Sequence, residues 1–134
     1  MEAINPDGLI DATEIGYSQA VVAGDTLYAS GQVGWDADFE VAGDDVESQA
    51  RQAFENVAVL LAEADADLDD VAKVTSYLVD PHDRVEDYLA VFSETFDGEP
   101  YPAHTILGVE ALARPEFLVE VEVEVPLPEG ADPE

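Results

Sequence analysis

Between Asp44 and Ala64 the apolar residues Val46, Ala50, Phe54, Val57, Leu61 and Ala64 recur three or four apart, with Glu47, Gln49, Arg51 and Glu55 between them. That period predicts an amphipathic helix with the polar set facing outward. Asp44 and Glu47 have the spacing of a capping box, Glu47 stands one turn before Arg51, and "DADLDD" closes the segment. Asp83 and Glu86 repeat the cap spacing ahead of a second helix, whose apolar side is Val85, Tyr88, Leu89, Phe92 and Phe96 and which "DGEPYP" stops. Near the C-terminus the period changes to two. Phe117, Val119, Val121, Val123 and Val125 alternate with Leu118, Glu120, Glu122 and Glu124, the pattern of a strand with one core face and one carboxylate face.

Shorter runs complete the pattern. "YSQAVVAGDTLYASGQV" predicts a hairpin with strands near 17–22 and 26–32. "VAKVTSYLV" (71–79) and "AHTILGVE" (103–110) read as strands, "GWDADFEVAGDD" as a connection holding a short strand around Phe39–Val41, and the opening to about Gly16 as loop or edge structure. The order β-β-(β)-α-β-α-β-β predicts an α+β fold with two helices on one face of a sheet, and leaves the other face uncovered. A chain of 134 residues is one domain, 1–134, with 1–14 and the Pro-rich, acidic 127–134 as loop or frayed ends.

Charge narrows the partners. The apolar fraction of 47% is that of an ordinary globular core, so 32 Asp and Glu against 4 Lys and Arg mean an acidic surface and not disorder. A net charge of −28 repels itself at low salt and is screened at about 1 M, where the Debye length is roughly 3 Å, so the chain reads as one built for concentrated salt. Nucleic acid and anionic membrane surfaces are poor partners, because four cations cannot replace many phosphate counterions. The absence of cysteine excludes thiol catalysis, disulfides and thiolate metal sites. No apolar run approaches a transmembrane span and the N-terminus lacks signal-peptide features, so the expectation is a soluble, cytoplasmic protein. His82 and His104 have no metal-ligand spacing with nearby acids, so no metal is expected.

Four stretches, "IGYSQAVVAGDTLYASGQV", "GDDVESQARQAFENVAVLLAEADADLDDVAKVTSYLVD", "YPAHT" and "ARPEFLVEVEV", resemble in order and spacing the RidA/YjgF family, also labelled L-PSP endoribonuclease, over about residues 15–125. The resemblance implies a chorismate-mutase-like fold, a six-stranded mixed sheet backed by two helices. It also implies a homotrimer with one small-molecule cleft at each subunit interface, which would cover part of the open sheet face. In the best-known branch that cleft hydrolyses imines and enamines derived from amino acids, with no metal or organic cofactor. By position, the resemblance assigns the water-handling glutamate to Glu120. It assigns ligand contacts to Tyr17, to Ser30 and Gly31, and to the backbone at Ile106.

The family's carboxylate-clamping arginine falls on His104, where this sequence departs from the pattern. Imidazole offers one donor on a given side and is mostly neutral near pH 7, so it copies a bidentate guanidinium poorly. Nearby carboxylates, Glu120 among them, would favour imidazolium, an effect that concentrated salt weakens where solvent reaches. Without the resemblance, His104 is a pocket histidine with satisfied hydrogen bonds, Glu120 a solvated strand glutamate and Tyr17 a packing residue; Trp35 packs and His82 sits in a surface turn. Two functions follow. The first is hydrolysis of an imine or enamine other than the usual amino-acid-derived ones; the alternative is a non-catalytic metabolite-binding or sensing trimer that lost the chemistry with the arginine.

Overall fold

The computed structural model describes residues 1–127. Of the C-terminal segment expected to fray, 128–134 lies outside them, whereas Leu127 is buried and its N–H donates to the Asp25 carbonyl at 2.7 Å. The opening segment is edge structure: β1 (Glu2–Ile4) pairs antiparallel with β2 (Ala20–Ala23), and a 3-10 turn spans Ala12–Ile15.

The second hairpin strand is broken in two, β3 (Thr26–Ala29) and β4 (Gln32–Val33), and both pair with β7 (Val119–Pro126). Between the pairs Tyr28–Glu124 and Gln32–Val121, the three residues Ala29, Ser30 and Gly31 face only Glu122 and Val123. That is a β-bulge, which bends the strand and re-aims its side chains. On the other side β7 pairs antiparallel with β5 (Lys73–Val79), which pairs in parallel with the edge strand β6 (Ala103–Val109). The sheet therefore has seven strands, not six, because the bulge divides one position between β3 and β4. The short strand expected near 39–41 reduces to a single bridge, Trp35 to Val41.

Both helices lie on one face. The first, α1 (Val46–Glu63), is capped by Asp45, whose carboxylate accepts from Ser48 N at 2.7 Å, so the expected Asp44–Glu47 box does not form. Arg51 reaches Glu94 and not Glu47. Gln49, expected outward, is fully buried: its amide donates to the carbonyls of Gly43 and Glu116 and accepts from Leu118 N, tying the helix to the start of β7. The second helix, α2 (Pro81–Thr95), starts before the expected Asp83 cap, with Pro81 in its first turn, which places His82 inside the helix. Its buried side is Tyr88 and Val91, while Leu89 stands exposed.

The core fills the space between this pair and the sheet face carrying Val74, Leu78, Val119, Val121, Val123 and Val125. No helix of the described chain covers the opposite face, which carries Tyr77, Leu107, Glu120, Glu122 and Glu124. Among the described residues no helix is long and apolar enough to cross a membrane.

Candidate functional site

Glu120 stands on the uncovered face, opposite Tyr77 on β5 and Val33 on β4. Its carboxylate lies against the bulge: a methyl group on Gly31 would overlap its Oε2, so only glycine leaves room for the acid at this approach. Burial, and then the neighbouring Glu122 carboxylate, push its pKa upward. The Tyr77 hydroxyl donates to Glu122 Oε1 at 2.9 Å, which keeps that second carboxylate hydrogen-bonded beside it. Tyr17, in the loop ahead of β2, is near enough that Glu120, after burial, raises its phenol pKa. Tyr17 is 40% exposed, so the group opens to solvent.

The bulge also sorts the two residues assigned with it. The N–H of Ser30 donates to the Gln19 carbonyl at 2.8 Å and its hydroxyl to the Ser18 carbonyl at 2.7 Å. Ser30 therefore spends both donors on holding the loop that carries Tyr17. The N–H of Gly31 has no protein acceptor among the described residues, and it lies next to the Glu120 carboxylate. Gly31, Glu120 and Tyr17 thus lie together: an N–H without a protein acceptor among the described residues, a carboxylate whose pKa is raised, and a phenol.

His104 is elsewhere. It follows the register of Val74 and Ser76, so it lies on the helix side of β6, the face opposite Glu120. Its Nε2 is 2.8 Å from Ser76 Oγ, which is 2.5 Å from the buried Tyr88 hydroxyl, and its ring stacks on Phe92 with centroids 3.9 Å apart and planes within 3°. Burial, and then the Lys73 ammonium, lower its pKa, the direction opposite to the one nearby carboxylates would give. Ile106 shares this side of β6 and packs against the core. From β6 to β4 the sheet crosses β5 and β7, about 14 Å at the usual strand spacing. The Glu120 group and the His104 group thus lie on opposite faces of the sheet of one chain.

Sequence reasoning missed Ser76 and Tyr88. Neither belongs to a motif, and only the register of β5 against β6 brings Ser76 to His104, 28 residues away. Trp35 packs, as expected, between the edges of Phe39 and Phe117. Among the described residues no group of three or more His, Asp or Glu is placed to hold a metal ion.

Comparison with known proteins gives the family and the fold. Residues 10–126 match the family model described as Endoribonuclease L-PSP. The RutC family protein YjgH of Escherichia coli K12 is 40% identical over 110 residues, covering 82% of this chain and 83% of that protein. The solved structure of Protein YJGH superposes with a TM-score of 0.85 at 39% identity, over 95% of this chain and 96% of that one. RidA from the Antarctic bacterium Psychrobacter sp. PAMC 21119 superposes with a TM-score of 0.80 at 35% identity, over 95% of this chain and all of the other.

Proposed function

The chain belongs to the Endoribonuclease L-PSP family, the family of the RutC, YjgF and RidA proteins, and from that premise we propose that it hydrolyses a small imine or enamine in a cleft between subunits of a homotrimer. The observation that carries the reading is the Glu120 carboxylate, raised in pKa and set beside the Gly31 N–H, which has no protein acceptor among the described residues.

Glu120 takes a proton from a water whose oxygen attacks the imine carbon, while the Gly31 N–H holds a polar atom of the substrate in line. Glu120 returns that proton to the nitrogen, giving the neutral carbinolamine, then takes the carbinolamine's hydroxyl proton and delivers it to the same nitrogen. The C–N bond breaks with its electron pair leaving on ammonia as the C=O bond forms; an enamine enters as its imine tautomer. Water and imine become carbonyl compound and ammonia, with no electron transfer. A raised pKa suits this task, since it makes the carboxylate a better base near neutral pH.

The homotrimer supplies what one chain lacks. Half-sites on opposite faces meet only if the Glu120 half of one subunit faces the β6 edge, with His104 and Ile106, of the next. The open sheet face and the unpaired outer row of the edge strand are the surfaces available for that contact. A ribonuclease reading has the family's description behind it and a charge of −28 against it. The alternative, a non-catalytic metabolite-binding trimer, rests on His104 in the place of the arginine.

Ammonia release from a panel of uncharged and carboxylate-bearing imines, assayed in about 1 M salt, decides between them. Glu120→Gln is expected to lower kcat by about 100-fold or more with little change in KM. Because the base must be ionised, the wild-type rate should rise with pH through the raised pKa of Glu120, a limb lying above the usual carboxylate range. Saturable ligand binding without ammonia from any member of the panel would leave the binding protein as the function.

A further inference from the structure

Three buried or half-buried groups, Tyr88, Ser76 and His104, form a chain of hydrogen bonds whose protons have one satisfied arrangement. The Tyr88 side chain is fully buried, and its hydroxyl has Ser76 Oγ as its one partner among the described residues. If Ser76 donated to Tyr88, the phenolic proton would be left buried without an acceptor, at a desolvation penalty no nearby group offsets. Tyr88 therefore donates to Ser76. Ser76 is also fully buried, and its remaining partner is His104 Nε2, so its own proton goes there. Nε2 must then be the bare, accepting nitrogen, and the ring proton sits on Nδ1. Nδ1 has no protein partner among the described residues, and no buried side-chain nitrogen or oxygen among them lacks one, so Nδ1 reaches the surface. Phe92, stacked on the ring, holds its plane.

We propose that Tyr88 and Ser76 are positioning residues that lock His104 as the neutral Nδ1–H tautomer. The β6 edge thereby offers a ligand one uncharged donor and selects a carbonyl or amide oxygen over a carboxylate. The ligand half of this inference rests on the cleft reading above; the tautomer half does not. A neutral donor makes one ordinary hydrogen bond and gives no charge attraction to offset stripping water from a carboxylate, whereas an amide oxygen loses little on entering. Protonation of the ring would also break the chain, since Nε2–H and the Ser76 proton would then point at each other. Burial, and then the Lys73 ammonium, act in the same direction by lowering the pKa of His104.

The test is long-range proton–nitrogen correlation NMR on the full-length protein labelled with nitrogen-15, with His104 distinguished from His82 by the loss of its signals in His104→Gln. At pH 7 His104 should show a protonated Nδ1 and a bare Nε2; a proton on Nε2, or an imidazolium, overturns the proposal. Ser76→Ala should mix the tautomers and Ser76→Thr, which keeps the hydroxyl, should restore the single one. A signature unchanged in Ser76→Ala shows that the chain does not set it and overturns the positioning role. Pyruvamide and pyruvate, titrated while the His104 signals are followed, test the selection. Pyruvamide should bind wild type about tenfold tighter; equal affinity, tighter pyruvate, or no binding of either removes it. Pyruvamide binding with no imine turned over would instead sink the hydrolase reading and leave this inference standing.

Discussion

Gly31 and Glu120 show how much one residue's shape decides. The carboxylate occupies the space in which any side chain at 31 would begin, yet the overlapping atoms are the far end of a flexible glutamate. Gly31→Ala should therefore push the carboxylate aside at small cost to the fold while removing its alignment. The expected result is a loss of at least about tenfold in kcat/KM with stability changed by under about 1 kcal/mol, read from imine turnover and urea unfolding of the same preparation. A drop in stability with turnover intact would mean that the acid does no chemistry. Little of this was legible in the chain. Alternation put Glu120 on a carboxylate face with Glu122 and Glu124, and nothing in that pattern separated the three; only the family motif did. His104 was harder still, because "AHTILGV" does not alternate and so hides which face each residue takes. The resemblance placed it in a cleft, and the register of β5 and β6 placed it against Phe92 and Ser76.

At the scale of elements, the strongly periodic segments were read closely and their ends were not. The first helix and β7 lie where their periods put them, since an apolar stripe and a two-residue alternation survive any choice of partners. Helix starts shifted by one to three residues because acidic residues are so frequent here that cap spacing arises by chance. Gln49 was misassigned for a related reason: a polar residue inside a helix reads as solvent-facing unless one knows that three backbone groups in two loops, one just ahead of β7, need it. The bulge was invisible as such, being a matter of three residues facing two across β7. Just past β4, the chain comes so close to α1 that a methyl on Gly34 would lie 2.5 Å from the Gln49 backbone. Backbone cannot step aside as a side chain can. Gly34→Ala should destabilise the fold by about 1–3 kcal/mol, seen as a lower urea midpoint with an unchanged slope; a neutral result would mean that the helix–sheet spacing is looser than the structure shows.

On the whole molecule, the pattern foresaw a sheet with one helix-covered face and one bare face, and the proposed function depends on that division. The Glu120 and His104 groups lie on opposite sides of one sheet and across its width, an arrangement that no local motion of a strand brings together. Concentrated salt is the condition in which to look, since a charge of −28 opposes the approach of identical chains. The most direct test uses two variants that are each inactive alone. Glu120→Gln chains keep the β6 edge and lack the base; His104→Trp chains keep the base and fill the edge. Unfolded together in equal amounts and refolded in about 1 M salt, they should regain about a quarter of the wild-type ammonia release, because in random cyclic trimers that share of interfaces joins an intact Glu120 to an intact His104 edge. Separately refolded samples mixed afterwards should stay inactive. A co-refolded mixture that forms mixed trimers yet recovers nothing would contradict a cleft built from two subunits.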